Sequence, residues 1–138
     1  MKNTIKTFAI LFLLLSYGCK AQQMVQAPNE AHKLKENEQQ FLNKPLKNLL
    51  KEIKPEIKNV SGNIDTPSYF VYRFVDNEEF SKGISIGKKP LILCVYVKEP
   101  LDWKFDERPK GTAYQWTKAD VAKYGNLTVI RIRVIGKD

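Results

Sequence analysis

The chain has 138 residues, with 23 lysines and arginines against 15 acidic residues, a net charge of +8, two cysteines and one histidine. One small domain fits this length, and three cysteine and histidine side chains fall short of the four ligands a structural zinc site needs. No window matches a phosphate- or dinucleotide-binding glycine fingerprint, so no cofactor is expected.

The first residues read as an export signal. Lys2 and Lys6 precede an unbroken apolar run from Phe8 to Leu15, followed by Ser16, Tyr17, Gly18 and Cys19. An apolar run of eight residues rises only about 12 Å as a helix, against a hydrocarbon thickness of about 30 Å, so a cleaved signal over residues 1–18 fits better than a membrane span. A cysteine directly after a small residue at the end of such a run resembles the lipobox of bacterial lipoprotein precursors. The resemblance covers this segment alone, and Ser16 and Tyr17 depart from the usual pattern. It implies a diacylglyceryl group on Cys19, and with it membrane attachment at the cell envelope, facing the periplasm or the surface. Cleavage after Ala21 is the alternative and predicts a secreted soluble protein.

Both alternatives leave Cys94 as the only free thiol, which removes any intrachain disulfide. Cys94 lies in the apolar run Leu91–Val97 and reads as a small buried hydrophobe. Cleavage before Cys19 leaves 21 basic against 15 acidic side chains, a charge of +6. That surplus favours lipid headgroups, anionic glycans or acidic proteins as partners. Nucleic acid is disfavoured by the export signal.

Residues 19–29 are mostly polar and read as a tether, with a single domain over residues 30–138. Ala31, Leu34, Glu38, Phe41 and Leu42 suggest a first helix. Pro45 is placed to open a second, in which Leu46, Leu49, Leu50 and Ile53 share one face before Pro55 stops it. Ser61-Gly62-Asn63 reads as a turn. Tyr69–Val75, aromatic and β-branched, predicts a strand that Asp76–Glu79 breaks. Ile84 and Ile86 alternate with polar residues, as a short strand or a loop. Leu91–Lys98 predicts a strand, and Glu99–Ala113 a long polar connection.

Thr117 and Asp120 have the spacing of a capping box for a short helix over Lys118–Tyr124, with Trp116 placed to pack on Val121 and Gly125 placed for a left-handed C-terminal position. Asn126–Ile135 alternates with period two, Thr128, Ile130, Ile132 and Val134 on one side and Val129, Arg131, Arg133 and Ile135 on the other. The predicted class is α+β: two N-terminal helices packed on a small, mainly antiparallel sheet of three or four strands, with one short late helix. This layout is similar in outline to small periplasmic lipoprotein modules.

No catalytic constellation stands out. His32 and Glu36 are too few for a metal site, and no metal is expected. Asp102, Asp106 and Glu107 could supply an acid–base pair for sugar cleavage, but Lys104, Arg108 and Lys110 are interleaved with them. The stronger candidate is a sheet face. If the strands are neighbours in matching register, Arg73, Tyr96, Lys98, Arg131 and Arg133 form a basic, aromatic-bearing surface. Trp103, in the long connection, is a further binding candidate. The sequence therefore reads as a non-enzymatic, exported, lipid-anchored binding module for a protein or an anionic envelope component. An inhibitor of an extracellular hydrolase is the alternative, and a carboxylate-dependent hydrolase a third.

Overall fold

The structure is a computed structural model and describes residues 22–137. The segment read as an export signal, Cys19 and Ala21 lie outside the described residues. The elements in order are α1 (His32–Glu36), α2 (Leu46–Leu50), β1 (Asn59–Asn63), β2 (Ser68–Arg73), α3 (Asn77–Ser85), β3 (Ile92–Val97), α4 (Lys118–Tyr124) and β4 (Val129–Ile135). The strands form one antiparallel sheet in the order β1-β2-β3-β4. The architecture is α+β.

Period-two alternation gives this sheet two distinct faces. On the inner face Val60, Tyr72 and Leu93 form one row and Phe70, Val95 and Ile132 another, all fully buried. Leu34, Leu46, Leu49 and Tyr124 from the helices join them in one apolar core, together with Trp103 and Leu101 from the long connection. Trp116 stacks edge-on against Phe70 and Tyr72, at 5.2 and 5.3 Å between ring centroids.

Several elements differ from their sequence reading. Residues 22–29 do not hang free: Val25 is fully buried and pairs with Ile53, donating to the Glu52 carbonyl and accepting from the Lys54 N–H. The first helix is a single short stretch followed by a 3-10 turn over Glu38–Gln40. Ser61-Gly62-Asn63 is strand and not turn, because Gly62 makes a notch into which the Trp103 indole packs. The Ile84–Ile86 region belongs to a helix and its end. Asp76 caps α3 by accepting from the Glu79 N–H at 2.8 Å, so the acidic cluster that ends β2 also starts a helix.

At α4 the capping box forms as the spacing predicts, but Gly125 sits in the ordinary right-handed region at φ −61°. β4 carries a bulge. Tyr96 faces Arg131 and Val97 faces Val129, leaving Ile130 as the extra residue. The bulge reverses parity, so Val129 is buried and Ile130 exposed, opposite to the simple alternation.

Two carboxylates secure β4. Glu38 accepts from the Ile132 N–H at 2.8 Å, and Glu99 accepts from the Thr128 N–H and hydroxyl at 2.7 and 2.6 Å. Unpaired donors on an edge strand invite pairing with other chains. Glu38, together with the Asn43 and Lys44 backbone bonds to Val129, covers the start of this edge.

Candidate functional site

The outer face of the sheet consists of three cross-strand rows. Asn63, Tyr69, Tyr96 and Arg131 form the first, Ser61, Val71, Cys94 and Arg133 the second, and Asn59, Arg73, Ile92 and Ile135 the third. The register required to gather Arg73, Tyr96, Arg131 and Arg133 on one face is therefore present. Lys98 lies just past the end of β3, exposed, its N–H held by the Thr128 carbonyl. Of the three rows only Asn59 and Cys94 are buried.

Local chemistry orders this face. The Tyr69 and Tyr96 rings touch at 4.8 Å between centroids with a 32° tilt, and the Asn63 amide donates to the Tyr69 hydroxyl at 2.8 Å. The Arg131 guanidinium lies 5.4 Å from the Tyr96 ring centre, within cation–π range. The neighbouring Tyr96 hydroxyl raises the Arg133 pKa and so favours its charged form. Arg73 is the least free of the three arginines. Its guanidinium lies 3.9 Å from the Phe80 ring of α3, and its Nε is buried without a hydrogen-bond partner.

The rows contain no aspartate or glutamate. Arg73, Arg131 and Arg133 have no ion-pair partner among the described residues. Cys94 sits between Val71 and Arg133. Burial pushes its thiol up, and the Arg133 and Arg73 charges pull it only part of the way back. The thiol is thus protonated at neutral pH and shielded, which fits a packing role.

Trp103 is not part of this face. It is only 8% exposed and packs on the inner side against Phe70 and Tyr124, at 5.6 and 5.7 Å between centroids. The surrounding loop is polar in composition, yet it folds back and delivers this one large ring to the core.

Two of the three carboxylates of that loop are engaged, and Asp106 is exposed. Asp102 lies 3.0 Å from Lys123 and Glu107 3.6 Å from Lys104, all four side chains being exposed. Arg108 does not join them at the surface. It grips Asp120 through two bonds of 2.8 and 2.9 Å while donating to the Ala113 and Gln115 carbonyls. His32 and Glu36 form an exposed pair at 3.8 Å, and no group of three or more potential metal ligands exists among the described residues.

A cleft of about 540 Å³ shares no lining residue with the arginine face. Leu50, Ile53, Ile57, Trp116 and Val121 give it apolar walls, and Glu56, Lys58 and Asp76 give it charges. No helix among the described residues is long and apolar enough to cross a membrane. No protein-family model matches the chain, and no significant match is found among curated proteins or solved structures.

Proposed function

We propose that the protein is an exported, lipid-anchored binding module whose outer sheet face holds an anionic partner of the cell envelope. One observation carries this reading: three arginines share a tyrosine-bearing face whose rows hold no carboxylate, and none of the three makes an ion pair among the described residues, the nearby Glu38 being bound to the Ile132 N–H. Arginine is common on solvated strands, but guanidinium forks beside aromatic faces are well suited to carboxylates, phosphates and acidic sugars. The face is a broad strip of three rows, which suits a chain-like or surface partner better than a small enclosed ligand.

The test uses immobilised polygalacturonate, an acidic polysaccharide, as the probe. Wild-type binding is expected to fall with added salt, since exposed charges are screened over about 8–10 Å near physiological ionic strength. Replacing Arg131 and Arg133 together by serine should weaken binding by roughly tenfold or more, the equivalent of losing about one charge-assisted hydrogen bond. The fold should survive, because both side chains are exposed. Unchanged binding by a folded double variant would remove the functional assignment.

The anchor has its own measurement. Intact-mass analysis of the protein from an exporting bacterial host is expected to show a mature chain starting at a diacylglyceryl Cys19. A mature terminus at Gln22 would overturn the anchor and leave the binding face as a property of a secreted protein.

A further inference from the structure

The helix that leaves the end of β2 is unlike the other three. α3 has no buried residue, and Ile84 and Ile86, at its C-terminal end and just beyond, are 54% and 70% exposed. Surface isoleucines scattered singly need no explanation. Ile86 lines a depression of about 330 Å³ together with Val75, Glu79, Lys82, Gly83, Lys88 and Pro90, and Ile84 lies two residues before it.

The charges around them are asymmetric. Asp76, Glu78 and Glu79 lie at the start of α3, whereas Lys82, Lys88 and Lys89 lie at its end and in the loop that follows. The fold adds a fourth lysine to this end. Lys137 donates its backbone N–H to the Lys89 carbonyl at 3.0 Å, and Lys88 donates to the Gly83 carbonyl at 2.9 Å. Gly136, at φ +85°, passes so close to the Pro90 and Lys89 carbonyls that a Cβ there would lie 2.2 Å from the former, which fixes the two segments together. Lys82 pairs with Glu78 on the helix surface, while Lys88, Lys89 and Lys137 have no ion-pair partner among the described residues.

Two exposed β-branched side chains, with lysines on the loop that follows and on the adjoining C-terminal segment, match the layered chemistry of an anionic bilayer. Its acyl boundary accepts apolar side chains, and its phosphates lie at the level the lysines reach. We infer that the α3 end, with Ile84 and Ile86 as the inserting residues and Lys88, Lys89 and Lys137 as the headgroup contacts, docks on the surface of a membrane containing anionic lipid. This contact shares no residue with the arginine face, although Phe80 of α3 packs on Arg73, and it does not depend on acylation of Cys19. Where Cys19 is acylated, it would fix which side of the domain faces the membrane and which is presented outward.

The experiment places a bimane label at Ser85→Cys in the full chain carrying Cys19→Ser, so that no acyl chain supplies the vesicle binding, with a second label at Ser61→Cys on the outer face as reference. Both are read against vesicles carrying doxyl quencher lipids, of pure phosphatidylcholine or with phosphatidylglycerol added. Quenching at position 85 is expected with the anionic vesicles and not at position 61. Lys88→Glu with Lys89→Glu should lower the vesicle affinity of that response by at least about tenfold, given the attraction of each lysine to an anionic surface. Ile84→Ser with Ile86→Ser should abolish quenching without changing the melting temperature by more than a few degrees, since both side chains are already exposed. Arg131→Ser with Arg133→Ser should leave quenching unchanged, so failure of this docking surface and failure of the arginine face are read separately. Equal quenching on neutral vesicles, no quenching at position 85, or a response indifferent to Lys88 and Lys89 would overturn the inference. So would a change from dimer to monomer on Ile84→Ser with Ile86→Ser in the absence of quenching, which would assign the patch to a second copy of the chain.

Discussion

Asp120→Ala is expected to lower the unfolding free energy by about 3–5 kcal/mol, the usual result of removing one partner from a buried ion pair. Asp120 and Arg108 have side chains only 7% and 13% exposed, and the guanidinium grips the carboxylate with two bonds. Asp120 also accepts from the Thr117 N–H at 2.8 Å and the Thr117 hydroxyl at 3.0 Å, so its loss removes the reciprocal half of the α4 capping box. Arg108 would be left charged and poorly solvated over the Trp103 ring, 4.0 Å from its centre. Because Arg108 also holds the Ala113 and Gln115 carbonyls, the loss should spread to the whole 104–117 segment. Denaturant unfolding reads the change, and a loss below about 1 kcal/mol would show the clamp to be an ordinary surface pair.

The same clamp predicts an acid limb. Burial pushes the Asp120 carboxyl up, but the Arg108 bonds and the Thr117 donors outweigh it and hold the folded-state pKa below the ordinary 3.8. A depressed carboxyl contributes stability that is fully present above its unfolded-state pKa and is lost as pH falls through the folded one. Wild-type stability should therefore drop below about pH 4, and this part of the slope should be missing in Asp120→Ala. Glu38, Glu99 and Asp102 also have lowered pKa values and contribute in the same direction, so the difference between wild type and variant is the informative quantity.

Local patterns predicted what local chemistry controls. Leu46, Leu49 and Leu50 give a helix because their spacing alone builds an apolar face, but it ends at Leu50, and Ile53, expected on the same face, bridges to Val25 instead. The Thr117–Asp120 spacing gives the α4 cap because both partners lie within one turn. Asp76 and Glu79 offered a similar signal for α3. The same acidic cluster also ends β2, and that role hides the cap.

The misread positions are those whose structure is decided by distant residues. Gly62 looks like a turn residue because nothing nearby shows that an indole will occupy the space above it. Ile130 looks buried because alternation cannot show where a bulge reverses the parity. Val25 looks like tether because its partner Ile53 lies 28 residues away in an isolated bridge beyond α2. The arginine face was legible for the opposite reason. Strand parity is local, and a meander of neighbouring antiparallel strands then carries the parity of each strand across the sheet.

Trp103 separates a binding role from a structural one most sharply. Trp103→Ala should cost about 3–5 kcal/mol, the range for removing a large buried aromatic. Its ring is enclosed by Phe70, Tyr124, Arg108 and the Gly62 notch, so no neighbour is free to collapse into the space. The notch itself should be intolerant. An alanine Cβ at Gly62 would lie 2.5 Å from Trp103 Cγ and 2.7 Å from its Cβ and Cδ2, well inside van der Waals contact. Gly62→Ala is therefore expected to cost about 1–3 kcal/mol through overpacking. Thermal or denaturant unfolding of the four proteins in the Gly62→Ala, Trp103→Ala cycle tests the contact directly. In the Trp103→Ala background the added methyl group meets a void and should cost little, giving a coupling of about the size of the single Gly62→Ala effect. Additive costs would place the indole elsewhere. Trp103→Phe keeps a ring over the notch, should remain folded, and should bind polygalacturonate as wild type does, because the ring lies on the opposite side of the sheet from Arg131 and Arg133. Weakened binding by that folded variant would return Trp103 to the ligand surface and contradict its burial in the core.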